Sequence, residues 1–432
     1  MRNQGDTKES IKLSDPVNAL RYMKVFALLL LLLLLIVTAG CSAQDTVTFT
    51  AEIEEVTDNS ILVTTVDFEE FDKASVGLGE AKYDFEPAVG QIVEITIRPE
   101  IRESYPVQVT AVKLVLVGEA EKSIADYFPL MENVKYVYEG KGNEFASYTV
   151  YTDYITGNKA QQRVENGGTV SAHVYEVENG KVTLLQAKGE GYYRENMIAQ
   201  AEGPGEVRLM EPLEKGTTWT LDDGSERTIT GTETEVKTPA GTFTCIEVLT
   251  ESSDGVTIDY YARNIGLVKT IFQSGGMEVS STLKSMENDA ARTEKIRFYY
   301  PDIEIEKIEY QIKEVTWHTN DDTALVLEEA YKAAADENFG TVLTTGAAIN
   351  SLRLDEENRV RLDMNAAFAA EINAGIAYET MILQCIADTF GHYYNSNEVI
   401  LTVEGKPYES GHIMMEEGES IRVDPDDLAD EG

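Results

Sequence analysis

Apolar and polar positions alternate with a period of two through most of residues 45–286, the pattern of strands with one buried face. In Asp45–Gly118 the strand candidates are Thr46–Thr50, Ile61–Thr65, Ile92–Ile97 and Val107–Val117. Turn residues separate them at Asp58-Asn59, at Pro87 with Gly90, and at Tyr105-Pro106. Short β-branched strands without a helix predict a small OB-like β-barrel domain over 41–120. Between 123 and 286 the candidates include Val134–Tyr138, Phe145–Tyr154, Thr169–Val177, Lys181–Gln186, Glu206–Met210, Phe243–Thr250 and Thr257–Ala262, with glycine-containing turns between them. This predicts a larger antiparallel β-rich domain, whose many tyrosines suit strands packed on one face and wet on the other.

Glu287–Arg292 reads as a polar linker, and the pattern then changes. Ile296–Tyr300 reads as a strand. A helix is predicted from about Asp322, with Leu327, Ala330 and Tyr331 on one face and Glu328, Glu329 and Lys332 toward water. Ala348–Leu354 and Arg359–Met364 form a predicted hairpin. A second helix over Ala377–Phe390 sets Tyr378, Met381, Ile382, Cys385 and Ile386 on one stripe, and Gly391 is the expected left-handed terminator. Val399–Val403 closes an α+β domain over 293–425, with helices on one face of one small sheet. This domain is expected to fold alone. Residues 426–432 are an acidic tail.

Val25–Val37 is an unbroken apolar run containing eight consecutive leucines, preceded by Arg21 and Lys24 and followed by Thr38-Ala39-Gly40-Cys41. It is shorter than the ~20 residues of a spanning helix, so 1–40 is expected to be a signal peptide. Small residues ahead of one cysteine resemble the lipobox of bacterial lipoproteins, with Thr38 where that family usually has Leu. The resemblance implies cleavage between Gly40 and Cys41 and a lipid on Cys41. Met23-Lys24 gives a compact basic start, so translation is expected to begin at Met23.

The C-terminal pattern resembles the GerMN domain of bacterial sporulation and spore germination proteins over 295–413. The segments that carry the resemblance are Ile296–Asp302, Ala347–Leu354, Val360–Asn365, Glu379–Phe390 and Glu398–Lys406, in that order. Asn338-Phe339-Gly340 stands where the family has a more proline-rich loop. The resemblance implies a lipid-anchored extracytoplasmic protein with a binding or assembly role, and it brings no catalytic residues.

Charge sharpens this picture. Asp and Glu total 76 against 36 Lys and Arg, for a net charge of -40. Residues 1–40 hold five bases and three acids, so the chain from Cys41 carries -42. Such acidity argues against nucleic-acid binding, which needs basic groups on phosphates. The barrel segment in particular carries Glu52, Glu54, Glu55, Asp67, Glu69, Glu70 and Asp72. It also argues against electrostatic docking on an anionic membrane, so retention there needs the covalent lipid.

Candidate chemistry is sparse. His173, His318, His392 and His412 fall in different elements, so no metal ligand set is assigned. Cys245 and Cys385 read as isolated buried thiols, which favours a Gram-positive host. Glu54/Glu55, Glu69/Glu70 and Glu328/Glu329 are neighbours by abundance and do not converge as acid and base. No catalytic or cofactor-binding residue is assigned, and the chain is expected not to be an enzyme. The expected function is a protein-interaction or assembly module on the outer face of the cytoplasmic membrane. Its partner, an envelope protein or a second copy, is expected on 293–425. The alternatives are a lipid or apolar-ligand carrier through the middle β-domain and a cell-wall-acting enzyme.

Overall fold

A computed structural model of the chain describes residues 46–424, apart from 58, 103, 120–121, 303, 305–306, 334, 336–337 and 373–374. The expected signal peptide, with Gly40 and Cys41, and the acidic tail lie outside the described residues. The chain divides into two compact units, 1–120 and 121–432.

The first unit is a closed five-stranded barrel of β1 (Val47–Val56), β2 (Ser60–Thr65), β3 (Lys73–Gly77), β4 (Gln91–Ile97) and β5 (Val107–Glu119). The strands follow the order β1-β2-β3-β5-β4, with β3 parallel to β5 and the other pairs antiparallel. This is the OB-like barrel that the alternation predicts. Phe49, Ile53, Ile61, Val63, Val93, Ile95 and Ile97 point inward and are buried. β3 escaped prediction because its sequence, Lys-Ala-Ser-Val-Gly, holds a single β-branched residue and only Ala74 and Val76 as apolar positions. Phe68 and Phe71 pack their rings against Phe49 and close one side of this core.

The second unit opens with the short helix α1 (Ile124–Tyr127), capped by Ser123. A first run of strands follows: β6 (Lys135–Lys141), β7 (Tyr148–Thr156), β8 (Lys159–Glu165), β9 (Val170–Glu178), β10 (Lys181–Lys188) and β11 (Glu206–Met210). A second run comprises β12 (Thr218–Thr220), β13 (Glu226–Thr238), β14 (Gly241–Ser252), β15 (Gly255–Ala262), β16 (Gly266–Ser274) and β17 (Met277–Glu287). All twelve form one antiparallel sheet in which β6 pairs with β17, so two meanders run outward from the centre. The sheet curls until its two ends meet. Trp219 Nε1 on β12 donates to the Val207 carbonyl on β11 (3.1 Å), and Arg227 on β13 pairs with Glu206 (2.6 Å). Leu209, Trp219, Ile229 and Ile246 share the core beneath this closure with Ile124 and Tyr127.

The C-terminal region starts with a ribbon of β18 (Arg292–Asp302) and β19 (Lys307–Trp317). It continues through α2 (Thr323–Lys332), β20 (Ile349–Leu354), β21 (Val360–Met364), α3 (Ala366–Glu371), α4 (Ile376–Tyr394), β22 (Glu398–Val403), β23 (Lys406–Pro407) and β24 (Ile421–Arg422). The single sheet expected here is two: the β18–β19 ribbon, and a mixed sheet ordered β20-β21-β22-β23 with β24 also on β22. β21 and β22 run parallel, because α3 and α4 supply the crossover that parallel strands require.

Three local expectations change. The helix predicted to stop at Phe390 runs on to Tyr394, and Asn395 rather than Gly391 takes the left-handed conformation (φ 53°). Gly391 serves packing: a Cβ there would collide with Val423 and the Ser396 carbonyl. Glu328 does not face water but is 8% exposed, paired with Lys332 (2.7 Å) and accepting the Ile349 amide (2.7 Å), so it ties α2 to β20. The expected linker shrinks to the four residues between Glu287, which ends β17, and Arg292, which begins β18; Ala290 N donates back to the Asn133 carbonyl.

Candidate functional site

Strands β7 to β9 are covered on both faces, and each face carries a feature that periodicity does not reveal. On the outer face a seam of polar and aromatic side chains joins the sheet to the C-terminal region. A register shift between Thr152 and Tyr154 leaves Asp153 without a β8 partner. Its carboxylate turns to Arg163 (2.9 Å), and both side chains are 1% exposed. Arg163 also donates to the Gly191 and Tyr193 carbonyls.

Arg194, likewise 1% exposed, lies between the sheet and the C-terminal region. Its guanidinium stacks over Tyr154 (4.5 Å) and Trp317 (5.1 Å) and donates to the carbonyls of Asp153 (2.7 Å) and His318 (2.8 Å). Its amide donates to the Tyr393 hydroxyl of α4, and Tyr193 packs on Tyr394. Tyr151 donates to the carbonyls of Ala290 and Trp317, and Thr319 Oγ1 to that of Thr152. These bonds tie the C-terminal region to the sheet as one body, with Arg194 Nη2 carrying both carbonyl bonds while its Nε and Nη1 are buried without a hydrogen-bond partner among the described residues.

On the concave face is a cavity of about 170 Å³. Tyr136 and Tyr138 from β6, Tyr148 and Val150 from β7, Gln162 and Val164 from β8, and His173 and Tyr175 from β9 form its wall. Phe128 and Pro129 after α1, with the turn Ile265–Leu267, form its rim. The Tyr138 hydroxyl donates to the Leu267 carbonyl (2.7 Å) while its ring stacks on Tyr148 (4.4 Å), and Arg263 in the same turn pairs with Asp126 of α1 (3.0 Å). These bonds brace the rim. Burial and the nearby Arg208 lower the pKa of His173, so its imidazole is neutral at pH 7. Burial raises the Tyr148 hydroxyl, which stays a protonated donor.

The residues singled out from sequence are not brought together. Cys245 and Cys385 are buried and unpaired with each other; burial pushes the Cys245 thiol up to about 12 and raises Cys385 as well, so neither is a nucleophile at neutral pH. His173 lines the cavity, and His318 ends the ribbon at the seam. His392 stacks on Tyr299, and His412 meets the buried Glu379 (3.0 Å). Among the described residues no cluster of His, Cys, Asp and Glu is arranged to hold a metal, and no helix is long and apolar enough to cross a membrane. Glu54 is spent within the barrel on Lys73 (2.5 Å) and Glu328 on its lysine.

Sequence reasoning passed over Arg163, Asp153 and Arg194. The one available signal was Arg163 within the polar stretch Lys159–Glu165, where an arginine and Gln161 occupy positions that turn out to be buried.

Residues 297–409, from within β18 to just past β23, match the family described as Germane, sporulation and spore germination. That stretch is a GerMN domain, and through it the chain carries a module of the sporulation and germination class. Among solved structures the chain is similar to the first GerMN domain of the sporulation protein GerM from Bacillus subtilis, at 15% identity and a TM-score of 0.24, over 31% of this chain and 100% of that one. It is also similar to a Bacteroides fragilis NCTC 9343 protein described as exported with a YmcC-like fold, at 15% identity and 0.24, over 37% and 98%. A third is a Parabacteroides distasonis ATCC 8503 protein described as a lipoprotein, at 16% identity and 0.21, over 37% and 98%. No curated protein matches the chain.

Proposed function

We propose that this chain is a lipid-anchored extracytoplasmic protein of sporulation or germination that works by binding rather than by catalysis. The lipid is on Cys41, the location is the outer face of the cytoplasmic membrane, and the GerMN domain meets an envelope protein or a second copy of the chain. The match of 297–409 to a sporulation and germination family is the observation that carries this reading. The β19 side of the domain supplies a surface. Among the described residues β19 pairs only with β18, and Tyr310 (40%) and Ile312 (52%) are exposed side by side on one face of the strand. Exposed apolar side chains next to an open strand edge are the features by which an extended segment is added to a sheet.

A photo-crosslinking residue at Ile312, in the full chain expressed in its native host during sporulation, is expected to give one discrete adduct. Tyr310→Asp is expected to reduce that adduct by about tenfold, the loss that follows from burying an unpaired charge in the contact. No adduct from Ile312, with lipid labelling of the chain intact, would contradict a partner on this face.

A further inference from the structure

We infer that the cavity inside the curled sheet is a binding site for a neutral small ligand with one ring-sized apolar body and a hydrogen-bonding group at its edge. Its size sets the first limit. A cavity of about 150 Å³ lined by apolar side chains takes one benzene, whereas drug-sized ligands need about 300 Å³ or more. At about 170 Å³ this cavity therefore fits a single ring or a chain of equivalent bulk.

The wall sets the second. Val150, Val164, Phe128, Tyr136 and Tyr175 offer aliphatic and aromatic surface, so the body of the ligand is apolar. Gln162 and His173 are direct cross-strand partners in the β8–β9 register and stand together on this wall. Both ring nitrogens of His173 already face hydroxyls, Nε2 that of Ser171 and Nδ1 that of Tyr175 (3.5 Å), so the Gln162 amide is the group that a polar atom of the ligand matches. His173 keeps its own orientation through Ser171 Oγ (3.1 Å), so the pair is set before any ligand arrives.

Charge sets the third. None of the lining residues carries a charge once His173 is neutral. The nearest cation, Arg208, acts on His173 but is already paired with Glu206 (3.2 Å), so a carboxylate or ammonium entering this wall would lose its hydration without an unspent counter-charge.

Cores pack close to crystal density, so a space of this size is exceptional. Here the Tyr138–Leu267 hydrogen bond, the Tyr138–Tyr148 stack and the Arg263–Asp126 pair hold wall and rim apart. This is the preformed kind of pocket, with a few placed polar groups in an apolar lining.

The test is fluorine NMR on the full chain in lipid nanodiscs, with empty nanodiscs as the reference. The probes are para-fluorophenol, fluorobenzene and para-fluorobenzoate. Saturable para-fluorophenol binding is expected, with para-fluorobenzoate weaker by about tenfold or more for the desolvation of its charge. Val164→Phe, which fills the cavity, is expected to weaken both neutral probes by more than about tenfold. Gln162→Leu is expected to weaken para-fluorophenol by about three- to tenfold, one hydrogen bond, and to leave fluorobenzene unchanged. Absence of saturable para-fluorophenol binding overturns the site. So does unchanged binding in a Val164→Phe protein that keeps the parent's circular dichroism and melting. If Val164→Phe does not fold, Gln162→Leu decides: the split between the two neutral probes supports the site, and equal affinities overturn it.

Discussion

Asp153→Ala is expected to destabilise the second unit by about 3–5 kcal/mol, read as a lower urea midpoint. The reason is what it leaves behind. Arg163 is 1% exposed, and its guanidinium would be charged, buried and without a carboxylate. Its remaining bonds to the Gly191 and Tyr193 carbonyls satisfy donors but do not neutralise charge. The pair as a whole is a different matter, because desolvating two ions offsets most of their attraction. Asp153→Leu combined with Arg163→Met is therefore expected to be more stable than Asp153→Ala alone. A double variant no better than the single one would show that the seam needs the ions for more than their mutual neutralisation.

Arg194→Ala is expected to cost about 3 kcal/mol or more and to change the form of unfolding. The buried carbonyl of Asp153 and the part-buried one of His318 lose a charged donor, worth at most about 1.5–3 kcal/mol each. The desolvated cation–π contacts with Tyr154 and Trp317 go with it, at about 2 kcal/mol. Relief from burying a cation returns part of this sum, which is why the net figure is smaller than the total. The side chain spans β7 and the end of β19, so its loss weakens the join more than either side. The parent is expected to lose sheet and C-terminal signals together in urea, whereas Arg194→Ala is expected to show two separated transitions. Arg194→Lys keeps the charge but not the planar fork, and is expected to fall between them.

Alternation alone made much of the fold legible. The barrel strands announce themselves because Phe49, Ile53, Ile61, Val63 and Ile95 each point inward between two outward-pointing neighbours. The GerMN domain was legible as an ordered succession of segments. The seam was not, for a physical reason: strands buried on both faces lose the alternation that marks them. β8, with its Gln161 and Arg163, reads as exposed until the Asp153 carboxylate and the loop carbonyls that satisfy it are known. Those partners lie far along the chain: Asp153, Gly191 and Tyr193 are 10, 28 and 30 residues from Arg163, and Glu195 is 34 from Gln161. The cavity was legible only as a surplus of tyrosines. Whether Tyr148 and Tyr175 pack or line a space depends on the curl of twelve strands, which no local pattern encodes. Gly391 misled because a glycine near a helix end signals a cap, while here close packing on Val423 demands it.

If a partner binds β19 as proposed, the seam would pass that hold on to the sheet that carries the cavity. Trp317 and Tyr393 meet Arg194, and Tyr394 packs on Tyr193, so the domain that the sequence led us to expect to fold alone is now expected not to do so. The most direct test is the amide spectrum of residues 293–424 expressed alone, compared with residues 122–424. The longer piece is expected to give well-dispersed amide resonances. The shorter one is expected to give the narrow, broadened spectrum of a collapsed chain without fixed packing. A well-dispersed spectrum from 293–424 alone, matching its counterpart in the longer piece, would contradict the account of a single body.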